Sequence, residues 1–156
     1  MRALRILFPA VAMVVSSLAF AQARPDYGMP ITGQQAKAAA AAAVAVMRSN
    51  DWSMAVAVVD PAGNLVYFEK MDATQHASIE IAMQKAKAAA AFKRPTKIFS
   101  DGIADNPGLA TLPGVVASEG GVPILVNGRI IGAIGCSGGT GQQDGVACTA
   151  GAAAVE

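Results

Sequence analysis

The sequence predicts a single α+β domain in which an antiparallel sheet of about five strands is flanked by α-helices. Two observations carry that prediction. Pairs of short apolar runs are joined by turn-forming residues at 60–64 and 127–128, and alanine-rich stretches at 33–48, 75–92 and 142–155 separate or follow them. Runs joined by tight turns pair locally and antiparallel, and the helices must then cover one or both faces of the sheet.

The first element lies ahead of this domain. Arg2 and Arg5 precede an apolar run over residues 6–18, and Ala19, Phe20 and Ala21 end it with the small residues that a signal peptidase reads. Residues 1–21 are thus expected to be a cleavable export signal, with Ala21-Gln22-Ala23 offering a second cleavage position. The apolar run is shorter than the roughly 20 residues a spanning helix needs, so no stable membrane span is expected after cleavage. Residues 22–156 then form the mature domain, 135 of the 156 residues and enough for one core. Without Arg2 and Arg5, 10 basic side chains face 11 acidic ones. That balance offers no electrostatic footprint for nucleic acid or an anionic membrane.

Thr32 is an N-cap residue in front of the first alanine-rich helix, expected over 33–48. Residues 53–59 form a continuous apolar strand, Asp60-Pro61-Ala62-Gly63-Asn64 a turn, and residues 65–70 a second strand. A second helix follows over 75–92, with His76, Ile79, Met83, Ala86 and Ala90 on one face and Lys85 and Lys87 elsewhere. Pro95 ends it, and the stretch 96–113 reads as a helical turn followed by loop. Residues 121–126 and 129–136 make a hairpin about Asn127-Gly128, the dipeptide a type I′ turn prefers. A glycine-rich break at 138–141 opens the closing helix over 142–155. Helix, hairpin, helix, irregular segment, hairpin, helix is the order of a profilin-like sheet.

Several of these strings, taken together and in order, resemble the GlcG/HbpS family of small haem-binding and related proteins. They are the run from Met54 to Val66, Met71-Asp72, Ala77-Ser78-Ile79, Lys85-Ala86, Ser118-Glu119-Gly120-Gly121-Val122-Pro123-Ile124, and Gly132-Ala133-Ile134-Gly135-Cys136-Ser137-Gly138. The resemblance implies a profilin-like fold, homo-oligomeric assembly and, for several members, haem or a related tetrapyrrole bound near the second helix. Extracellular members are linked to haem sensing, storage or degradation. A similar domain is fused to cobalamin adenosyltransferases, and others carry a glycolate-operon name, so membership bears on fold more than on activity.

His76 is the sole histidine and hence the sole imidazole for a haem iron or for proton transfer near neutral pH. Met71, Ile79, Met83 and Phe92 are candidates for an apolar wall beside it. Met83 lies seven residues on, about 10 Å along a helix, so it does not share one iron with His76 of the same subunit. Lys85 and Glu119 are expected either to pair or to grip a carboxylate or propionate, with Gly120 and Gly121 letting backbone approach a ligand. Ser78 either faces inward or hydrogen-bonds a ligand. Asp144, in the first turn of the last helix, suits the positive end of its dipole. Cys136 and Cys148 are either a disulfide, which an oxidising compartment permits, or two small buried side chains.

The functional expectation is an exported haem-binding protein, periplasmic or secreted. The alternative is an enzyme or accessory protein acting on a small carboxylated metabolite, gripped by Lys85 and Glu119. No serine can be placed beside His76 by sequence, so no catalytic residue is assigned.

Overall fold

Alanine runs and turn signals resolve into four α-helices and four strands in the computed structural model, which describes residues 24–156. The export signal expected over 1–21 lies outside those residues. Helix α1 (Gly33–Ser49) starts on a capping box: the Thr32 hydroxyl accepts from the Gln35 N–H while the Gln35 side chain accepts from the Thr32 N–H. Strands β1 (Ala55–Val59) and β2 (Leu65–Lys70) flank the 60–64 turn, where the Asp60 carboxylate accepts from the N–H groups of Ala62 and Asn64. Helix α2 (Ala77–Phe92), helix α3 (Lys97–Gly102) and a 3₁₀ turn (Pro107–Thr111) come next. Strands β3 (Gly121–Val126) and β4 (Arg129–Ser137) meet at Asn127 and Gly128, whose φ angles of 50° and 73° suit a type I′ turn. A second capping box, Thr140 with Gln143, opens α4 (Gly141–Ala153).

The strands lie in the order β2-β1-β4-β3, every neighbouring pair antiparallel. There are four strands among the described residues where the sequence suggested about five. The segment before α1 supplies only a single parallel bridge, Tyr27 to Ile130. It occupies the place beside the first residues of β4 that β1, paired only from Ala133 onward, leaves vacant. Pro30, which lacks an N–H at the next donor position after Gly28, keeps that segment from extending into a ladder.

Alternation along the strands gives the sheet two unlike faces. Val56, Val58, Ile124, Ile134 and Cys136 join α1 and α4 in the main core. The opposite face carries Ala55, Ala57, Ala133 and Gly135, and α2 settles onto it. The approach is so close that a Cβ on Gly135 would collide with the Ala82 carbonyl, and one on Gly121 with the Lys85 carbonyl.

That closeness corrects the face expected for α2. Its buried residues are Ser78, Ala82, Lys85, Ala86, Ala88, Ala89 and Ala90. His76 precedes the helix and is exposed, while Ile79 and Met83 are only half-buried. Small side chains win the seam because only they let the helix backbone touch a glycine-lined sheet. No helix among the described residues is long and apolar enough to cross a membrane.

Candidate functional site: a buried clasp and an open helix end

The residues singled out from sequence fall into two separate groups on α2. Lys85 and His76 are nine positions apart, about 13 Å along the axis.

The first group is sealed. Lys85 Nζ lies 2.7 Å from Asp144 Oδ2 and 3.3 Å from the Cys136 carbonyl oxygen. The Lys85 and Asp144 side chains are only 2% and 3% exposed. Lysine sits on one helical layer and aspartate on the other, so the pair clasps α2 to α4 around the start of β3. Gly120 leaves the gap: its φ is 123°, and a Cβ there would stand 2.7 Å from Asp144 Cβ and 3.0 Å from Lys85 Nζ. Asp144 Oδ1 accepts from the Gly139 N–H at 3.0 Å. Burial raises the Asp144 carboxyl above its ordinary value, against the opposing pull of Lys85 and the Gly139 and Gly138 N–H groups. Gly121 is stitched to Thr96, whose hydroxyl accepts from the Gly121 N–H and whose own N–H donates to the Gly121 carbonyl.

Lys85 therefore pairs with Asp144 and not with Glu119. Glu119 rests over the first turns of α4, in the space left by Gly141 and Gly145, and its carboxylate stands 3.9 Å from Lys97. Gly120 and Gly121 admit the lysine and the backbone of α2. Ser78 faces inward and shares a 3.3 Å hydrogen bond with Ser137. Cys136 and Cys148 are joined as a disulfide that ties β4 to α4. From sequence alone Asp144 stands out only as a partner of the helix dipole. The available signal was its position four residues before Cys148, which puts both on one helix face.

The second group is open. His76 is exposed at the start of α2, and Ile79 and Met83 follow on its flank. Met83 and Phe68 pack against Ala55, Ala57 and Ala82 without being covered. Phe68 was not singled out from sequence, although strand alternation places it opposite Ala57. Met71 packs on the main core. Phe92 lies sixteen residues from His76, roughly 24 Å along the helix, and meets Phe99 edge to face at 5.0 Å, so it is no part of this wall. An open depression of about 320 Å³ between the 60–64 turn and Lys87 and Ala91 contains none of these side chains. Among the described residues, no three His, Cys, Asp or Glu side chains cluster to hold a bare metal ion.

An accessible imidazole at the helix start, on the flank that carries half-covered Ile79 and Met83, suits a flat apolar ligand with a metal at its centre. Carboxylate recognition would instead need a cation, and the lysine expected for that purpose is spent on Asp144.

A four-stranded antiparallel sheet with α1 and α4 on one face and α2 on the other defines a small α+β protein of the profilin-like kind. Residues 31–153 match the family of haem-degrading HbpS-like proteins. The chain belongs to this GlcG/HbpS family. It is 36% identical over 108 residues to protein GlcG of Escherichia coli strain K12, covering 69% of this chain and 81% of GlcG. The crystal structure of HbpS superposes with a TM-score of 0.77 at 32% identity, over 83% of this chain and 92% of HbpS. A crystal structure of a PduOC–heme complex gives 0.74 at 26% identity, over 82% and 96% of the two chains.

Proposed function

We propose that the protein is an exported haem-binding protein, serving haem sensing, storage or degradation, that takes its ligand at the open start of α2. The observation that carries the reading is the match of residues 31–153 to a family named for haem degradation. The likeness to PduOC, solved as a heme complex, supports it. In this reading His76 contacts the iron, and Ile79, Met83 and Phe68 provide the apolar wall.

Export to the periplasm or the medium is supported by the signal pattern at 1–21 and by the Cys136–Cys148 bond, since disulfides persist in oxidising compartments. Assembly into a homo-oligomer is supported by exposed Leu65 and Leu125 on the two edge strands, β2 and β3. The alternative of a small carboxylated substrate would require that substrate to displace Asp144 from Lys85.

Hemin added to the purified mature protein tests the reading. A saturable shift of the Soret band is expected, and its absence would overturn haem binding. An unchanged spectrum in His76→Ala would overturn only the iron contact.

A further inference from the structure

Three constraints meet at Cys136. Its sulfur is bonded to Cys148. Its N–H donates to the Gly120 carbonyl at 2.8 Å, and its carbonyl accepts from Lys85 Nζ at 3.3 Å. Cys148 follows Asp144 by four residues on α4, so the half-cystine and the carboxylate project from one face, a turn apart. The covalent link and the ion pair thus hold the same helix to the same end of β4.

Both half-cystines are fully buried in the core beneath α1 and α4. A thiolate must reach a sulfur to break the bond, and access is one of the factors that set the rate. Lifting the first turns of α4, which lead up to Cys148, opens such access. Lifting them draws Asp144 away from Lys85, and it also unseats Glu119, which rests against Gly141 and Gly145.

We propose that the Lys85–Asp144 pair is the latch of a thiol-operated lock: the disulfide is reducible only when the latch opens, and reduction frees α4 together with the 119–121 segment. The reductant is a protein or small-molecule dithiol. One of its thiolates attacks a cysteine sulfur; the S–S bond breaks, and the departing thiolate takes up a proton. The second thiolate of the reductant then attacks the mixed disulfide and releases the other cysteine as a thiol. Two electrons and two protons pass to Cys136 and Cys148, and the dithiol becomes a disulfide. The lock lies at the other half of α2 from the proposed haem contact and does not depend on haem binding.

The test is the rate at which dithiothreitol reduces the folded mature protein, followed by quenched alkylation and intact mass. Asp144→Ala is expected to be reduced at least ~10-fold faster than wild type, as local opening rather than global unfolding governs access. Ile31→Ala, a core truncation beside Gly132 at the other end of β4 from Cys136, serves as the control after adjusting temperature to equal fractional distance from each Tm, and is expected to match wild type. Equal rates for wild type and Asp144→Ala would overturn the latch. A measurement on wild type alone gives a second, variant-free test. After reduction and alkylation, amide hydrogen exchange should speed up at 118–121 and 138–148 while β1 stays protected; an unchanged pattern, or a uniform loss, would overturn the lock.

Discussion

Toward the C-terminal half of α2, a lysine is sealed between the two layers with every polar atom answered, whereas at the helix start the only histidine stands in solvent beside half-covered apolar groups. One helix supplies both environments. The difference follows from side-chain size. Where alanines meet Gly121 and Gly135, the helix backbone lies against the sheet, and a charge caught there must find its partner within the protein. Where Ile79, Met83 and Phe68 replace alanine, the surface is wider and stays open. On the proposed reading, rigidity belongs to the clasp and ligand access to the open end, and mutations should separate the two.

The largest effect is expected from Asp144→Ala, which strands the Lys85 ammonium in the interior and leaves the Gly139 N–H without its acceptor. Breaking a buried pair from one side costs about 3–5 kcal/mol. Asp144→Asn should cost less, because its one amide oxygen can still accept from Lys85 Nζ while its NH2 group takes the place of the oxygen that accepts from Gly139. Urea unfolding of the two variants reads this directly, and equal losses would show that the charge, not the acceptor, is what matters. Replacing both cysteines by alanine should cost about 2–4 kcal/mol, again by urea midpoint and slope. Gly135→Ala should cost about 1–3 kcal/mol by forcing α2 off the sheet. A smaller loss there would mean that the helix seam gives way more easily than its geometry indicates.

A pH series sharpens the clasp further. Burial raises the Asp144 carboxyl above its ordinary 3.8, so between that value and the raised one the folded state holds more proton than the unfolded state. The associated stabilisation is full below 3.8 and is lost as pH rises through the raised value. Wild type should therefore gain on Asp144→Asn as pH falls from neutrality toward 4, measured as the difference in Tm. A difference that moves the opposite way would mean that Lys85 outweighs burial.

The hairpins were legible because their signals are local. Asn127-Gly128 specifies its turn with φ angles that few other residues adopt, and Thr32 caps its helix through bonds three residues long. The buried face of α2 was not legible, since alanine at 82, 86, 88, 89 and 90 gives no contrast between inside and outside. Nor was the partner of Lys85. Glu119 and Asp144 are both plausible carboxylates in sequence, and the choice depends on a notch that Gly120 opens only once β3, β4 and α4 are assembled. Met83 was placed on the correct helix and His76 falls one residue before it, but their exposure depends on which face the sheet accepts.

The smallest effect on stability belongs to His76→Ala, an exposed change expected to stay within about 0.5 kcal/mol. Paired with the cysteine-free protein, it gives the most direct test of the division between the two ends: a hemin titration and a melting curve on each. The expected result is crossed, with His76→Ala losing the wild-type Soret signature at unchanged Tm, and Cys136→Ala/Cys148→Ala losing Tm while keeping the signature below its melting point. Loss of the wild-type signature in both variants, or in neither, would contradict it.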